Sequence, residues 1–206
     1  MNKKLDVRAL AILGLMTALL ILFSFTPIGT IPIGPLSITL NVIPIAMAAI
    51  ALGPVGGLAM GCVFGLLSFL QCIGVGVPSG MGAILFSIDP ILAFLQRFVP
   101  RALDGYLVGL IFRALAKKPG PRPACFIAGF CSAFLNTAFF MSALVLLFGR
   151  TDYVQGLMKG RSFLVFVCAF VGVNAVVEMV VCTVISGFVG VALYHAKILP
   201  LKKKEK

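Results

Sequence analysis

Long apolar stretches, divided by short breaks of Pro, Gly or basic residues, run the length of this chain. A membrane crossing takes about 20 apolar residues, and on that scale six stretches read as spans. The first covers 9–25 behind a basic flank, and an uncharged loop with three Pro and two Gly follows at 26–35. No small-residue cleavage site follows the first span, so it reads as retained rather than as a signal peptide. The second span, 36–52, stops at Gly53-Pro54, and the chain turns at Gly56-Gly57. The third is 58–73, followed by another uncharged Gly/Pro-rich loop at 74–82. The stretch 83–116 is interrupted by Pro90 and Pro100 and reads as an outer lead-in plus a fourth span at 91–116. Lys117-Lys-Pro-Gly-Pro-Arg-Pro123 is a firm break. The fifth span is 124–148; a polar loop with Arg150, Asp152, Lys159 and Arg161 leads to the sixth, 163–194, which is long enough to tilt.

Composition agrees with that pattern. The chain is 61% hydrophobic and 11% charged, whereas a soluble domain is about 45–50% apolar and about 25% charged. Its mean hydropathy is +1.14. A soluble enzyme, a disordered chain and a secreted disulfide scaffold are all excluded; lipid is the natural solvent for such a surface. The expected fold is an all-α integral membrane bundle, residues 1–206 forming one domain of six transmembrane helices.

The net charge of +11 then sets the topology. Twelve of the 17 basic residues lie at the N-terminus, beside the 117–123 break, or at the C-terminus. Segments rich in Lys and Arg stay cytoplasmic. With six spans, both termini and that break fall on the cytoplasmic side; splitting 83–116 into two spans would put the termini on opposite sides. The same residues touch anionic lipid headgroups. Nucleic acid is not an expected partner, because the chain has no Trp and no basic-aromatic surface.

Catalytic chemistry is not expected. There is no G-x-x-x-x-G-K-[ST] phosphate loop, so the chain does not itself hydrolyse ATP in the usual way. The one His, His195, reads as an interfacial residue. The six Cys (62, 72, 125, 131, 168 and 182) form no C-x-x-C and read as small hydrophobes, so no metal site is expected.

Polar side chains inside spans are costly and default to functional candidates. Here they include Asn41, Gln71, Arg97, Arg101, Asp104, Asn136, Asn174 and Glu178. Counted along their spans at about 1.5 Å per residue, Arg101, Asn136 and Asn174 lie at one depth, roughly 15–18 Å from the outer face. Arg97 and Gln71 lie shallower. Three polar groups from three helices at one depth suit a solute site. The alternative is structural glue, with Arg101 and Asp104 neutralising each other on one helix face and Asn136 and Thr137 bridging helices. If Asp104 pairs with one arginine, the other stays cationic and can grip an anion. Gly14 and Ala18 on the first span form a small-xxx-small pair, suited either to packing within the chain or to docking a partner helix.

Several segments carry a further resemblance. They are Ile31-Pro-Ile-Gly-Pro-Leu-Ser-Ile-Thr39, Leu52-Gly-Pro54 with Gly56-Gly57, Gly61-Cys-Val-Phe-Gly-Leu-Leu-Ser68 and Pro100-Arg101 with Gly105 and Gly109-Leu-Ile-Phe-Arg113. Asn136-Thr137 and Asn174-Ala-Val-Val-Glu178 complete the set. Together they resemble the substrate-capturing S-components of energy-coupling factor (ECF) vitamin transporters, the pantothenate type most closely. The resemblance implies a six-helix subunit of the bacterial plasma membrane that captures a small vitamin from outside. It implies a transmembrane coupling subunit and two ABC-type ATPases as partners, with no cofactor on the chain itself and ATP hydrolysed by those partners. It assigns docking to small residues of the first helix, commonly Ala-x-x-x-Ala, matched here by Gly14 and Ala18. The substrate-binding candidates are then Arg97, Arg101, Asn136, Asn174, Glu178, Gln71 and Asn41. Two other functions fit the composition: a stand-alone secondary transporter of a small organic anion, although no internal repeat is visible, and a membrane scaffold without a solute.

Overall fold

The structure is a computed structural model that describes residues 7–27, 29–33, 36–117, 120–196 and 199. In chain order the elements are α1 (Val7–Phe25), β1 (Thr30–Ile33), β2 (Leu36–Thr39), α2 (Val42–Leu52) and α3 (Pro54–Leu70). A single 3-10 turn, Gln71–Ile73, leads to α4 (Gly80–Ile88), α5 (Pro90–Leu115), α6 (Pro121–Phe148), α7 (Asp152–Met158) and α8 (Phe163–His195).

The helix starts follow from local chemistry. Pro opens α3, α5 and α6, where its missing N–H would have had no partner in any case. The Ser79 hydroxyl accepts from Gly82 N to cap α4, and Asp89 Oδ1 accepts from Ile91 N and Leu92 N to cap α5. Between α2 and α3 the chain reverses at Gly53, whose φ of 77° suits a residue without a Cβ.

Among the described residues, four helices are long and apolar enough to cross a membrane: Val7–Phe25, Pro54–Ile73, Pro121–Phe148 and Asn174–His195. The 26 residues of α5 are also long enough, but this helix carries Arg97, Arg101, Asp104 and Arg113. Taken along the chain, α1, α2, α3, α5, α6 and α8 alternate in direction. Gly57 of α3 lies against Gly105 of α5, and Gly61 against Arg101, so α3 and α5 are antiparallel. Gly129 meets Cys182 and Gly187 meets Phe126, so α6 and α8 are antiparallel too. Thr17 Oγ1 donates to Met60 Sδ and Gln71 Nε2 donates to Ser24 O, so α1 runs parallel to α3.

The second expected span differs. Residues 36–39 form strand β2, paired antiparallel with β1 from Thr30↔Thr39 to Ile33↔Leu36. The helix proper is only the 11 residues of α2, about 16 Å long against a hydrocarbon core of about 30 Å. Every residue from Val42 to Ala51 is buried, because α2 is apolar on all sides and packs against α1, α3, α5, α6 and α8. It occupies the bundle axis. Ile45 lies beside Gly105, and Leu52 O accepts from Arg113 Nη2 near the end of α5. The axial helix therefore fills only the half of the bundle toward the 117–123 break.

Smaller differences concern ends. The third helix starts at Pro54 rather than 58 and ends at Leu70, and the fifth begins at Pro121 rather than 124. The lead-in before the fourth span is the helix α4, and the polar loop after the fifth contains α7.

Candidate solute-binding site

Above the N-terminus of α2, where the axis is unfilled, lies a cleft. It encloses about 810 Å³ of space free of atoms, open mouth included. All seven candidates, Arg97, Arg101, Asn136, Asn174, Glu178, Gln71 and Asn41, line this one cleft. They come from five elements: Asn41 from the start of α2, Gln71 from the 3-10 turn, the arginines from α5, Asn136 from α6, and Asn174 with Glu178 from α8.

The two arginines define one side. Arg97 is 6% and Arg101 5% exposed, so neither guanidinium is in bulk water. Arg97 Nη2 donates to Ser79 Oγ at 3.0 Å, and its Nη1 approaches Ser68 Oγ at 3.5 Å. Arg101 Nη1 donates to the Arg97 carbonyl at 3.0 Å. The Phe140 ring centre lies 5.1 Å from each guanidinium carbon, and that of Phe64 lies 4.8 Å from that of Arg101. Aromatic faces stabilise each cation by about 0.5–2 kcal/mol. The Nε of each arginine has no hydrogen-bond partner.

The expected pairing of Arg101 with Asp104 does not form. Among the described residues no carboxylate oxygen lies within 4.0 Å of either guanidinium. Asp104 instead turns toward α6, where Oδ2 accepts from Ser132 Oγ at 3.4 Å. It is fully buried outside the cleft lining. The glue reading of Arg101 and Asp104 thus fails on geometry, and both arginines keep their charge facing the cleft.

Acceptors and amides supply another part of the lining. Glu178 Oε1 accepts from Thr39 N at 2.6 Å, tying the middle of α8 to the end of the hairpin. Asn174 and Glu178, one helical turn apart, both line the cleft, as do Asn136 and Thr137. The side-chain oxygens of Asn41 and Asn136 are buried without partners. Gln71 is partly committed, since its Nε2 holds Ser24 O of α1 at 3.1 Å. With Glu178 ionised the lining carries a net charge of +1, and with it protonated +2; the cleft is positive either way.

Sequence reasoning did not single out Phe64, Ser68, Ser79, Phe140, Met81 or Met141 as lining residues. Ser79 sits in a loop with no span-depth signal, and the others have side chains ordinary for a span. Gly14 and Ala18 lie elsewhere, exposed on α1 and away from the bundle. A Cβ at Gly14 would meet nothing within 4 Å. The pair does not pack within the chain. Among the described residues no three His, Cys, Asp or Glu side chains cluster to hold a metal, and the six cysteines are free.

Long apolar helices here surround a positively lined cleft. Residues 8–189 match the family model described as ECF transporter, substrate-specific component. The chain belongs to that family. It is a substrate-binding subunit of a transporter, not an enzyme. It is 27% identical over 205 residues, covering 95% of this chain and 97% of the relative, to the pantothenic acid transporter PanT of Lactococcus lactis subsp. cremoris (strain MG1363).

Proposed function

We propose that this chain captures pantothenate, or a closely similar small vitamin anion, from outside a bacterial cell. The observation that carries the reading is the pair of buried arginines facing the cleft with no carboxylate partner. Pantothenate has a carboxylate at one end, hydroxyls at the other and an amide between. Its carboxylate suits Arg97 and Arg101, which offer paired N–H donors. Its hydroxyls and amide suit Glu178, Asn174, Asn136 and Asn41. Likeness to PanT over nearly the whole chain supports the same solute.

In this reading the chain crosses the plasma membrane six times, α2 completing its crossing with the hairpin, and both termini are cytoplasmic. The alternating helix directions and the basic 117–123 break support that topology. The chain carries no cofactor. A transmembrane coupling subunit docks on the Gly14–Ala18 face of α1, and two ABC-type ATPases hydrolyse ATP. Titration calorimetry on the purified full chain in detergent tests the solute. Pantothenate should bind with submicromolar to micromolar affinity; no heat and no competition across the water-soluble vitamins would reject the reading.

A further inference from the structure

Helices α3 and α5 meet along a row of glycines. These are Gly53, at the N-cap of α3, and Gly57, Gly61 and Gly65 on α3, spaced four residues apart. Each of the last three lies against α5 backbone. A Cβ on Gly57 would overlap the Gly105 carbonyl, and one on Gly61 the Arg101 carbonyl. One on Gly65 would come to 2.9 Å from Phe98 Cα. Small residues let helix backbones approach this closely. Here the row ends at the cleft. The backbone that rests on Gly61 and Gly65 is that of Arg101 itself and of Phe98, next in the chain to Arg97. The same turns of α3 present Phe64, its ring centre 4.8 Å from the Arg101 guanidinium carbon, and Ser68, 3.5 Å from Arg97 Nη1.

We infer that Gly61 and Gly65 are positioning residues for the anion site: by setting the α3–α5 separation they place Arg97 and Arg101 at the cleft. The ligand half of this inference rests on the anion reading above. Each arginine is more than nine-tenths buried with Nε unpartnered; the Nη hydrogen bonds orient its tip, and the position of the α5 backbone sets where that tip can reach. A methyl at Gly61 has to push α5 back by on the order of 1 Å to restore van der Waals distance. The overlapping atoms are backbone, so no side chain can swing aside. A displacement of that size is enough to cost about 100-fold where geometry is critical.

The test uses the full chain as Gly61→Ala, as Gly65→Ala (the milder overlap) and as Gly14→Ala, whose methyl enters open space. Two readouts are taken. The first is the affinity ratio between pantothenate and its alcohol analogue, in which CH2OH replaces the carboxylate. Gly61→Ala and Gly65→Ala should cut the carboxylate preference by about tenfold, and Gly14→Ala should leave it unchanged. The second needs no ligand: the arginine Nε–H signals in nitrogen-15 NMR, assigned with Arg97→Lys and Arg101→Lys. These signals should move in both seam variants and stay put in Gly14→Ala. If the wild type binds neither probe, the pantothenate reading fails, while the arginine signals still decide the seam. Signals coinciding with wild type in the folded seam variants, or an unchanged carboxylate preference, would overturn the inference.

Discussion

Arg97 and Arg101 stand one helical turn apart, each with its guanidinium carbon 5.1 Å from the Phe140 ring centre. Two cations held this close without a carboxylate repel each other, and an anion entering the cleft relieves that repulsion. Replacing either by Ala should weaken pantothenate by about 2–5 kcal/mol, because a desolvated charge pair is lost. The alcohol analogue should lose much less, and calorimetry with both ligands checks this. Glu178 gives a prediction of opposite sign. Glu178→Gln keeps an oxygen that can accept from Thr39 N but removes the negative charge facing the cleft. The preference for carboxylate over alcohol should therefore rise by about threefold, on the scale of a screened like-charge pair. The ratio is the right readout because any lost hydrogen bond to the hydroxyl end affects both ligands alike. An unchanged or falling ratio would place the carboxylate away from Glu178's field.

At the scale of elements, the short helix α2 creates the site. Had residues 36–52 formed one continuous helix, it would have run on past the level of Asn41 and filled the cleft. Instead Leu36-Ser-Ile-Thr39 pairs with Thr30-Ile-Pro-Ile33, and the helix begins only at Val42. The sequence reading missed this because Leu36-Ser-Ile-Thr continues the hydropathy of the helix that follows, and hydropathy does not distinguish an apolar strand from an apolar helix. That the candidate residues share one cleft was legible for a different reason. Lipid makes every amide and charge in a span conspicuous, and depth along the spans placed Arg101, Asn136 and Asn174 together. Which polar groups paired was not legible: Arg101 and Asp104 share a helix, yet Asp104 turns to Ser132 across the α5–α6 contact. The start of α5 offers a separate check. Asp89 caps two backbone N–H groups there, so Asp89→Ala should cost about 1 kcal/mol of stability. A lower thermal midpoint with unchanged ligand selectivity would show that the cap supports the arginine-bearing helix without touching the solute.

At the scale of the whole molecule, an ECF substrate-specific component works with coupling and ATPase subunits, so the proposed uptake draws its energy through a protein contact. The face proposed for it is on α1. Val7, Ala11, Gly14 and Ala18 are exposed along one side of that helix, and the opposite side, through Met16, Leu20 and Ser24, is buried against the bundle. A small-residue stripe lets a second helix come close, and a bulky side chain there holds it off. Gly14→Leu and Ala18→Leu should therefore leave pantothenate affinity of the isolated chain unchanged, since neither residue borders the cleft. The same variants should lose association with the coupling subunit, and with it ATP-dependent uptake into vesicles, by about tenfold or more, as expected when a bulky side chain overpacks a close helix contact. Calorimetry on the isolated chain and uptake in the reconstituted assembly separate the two effects. Normal uptake by both variants would move the docking surface off α1, and a parallel loss of solute binding would mean that α1 shapes the cleft through Ser24 and Gln71 rather than carrying the partner.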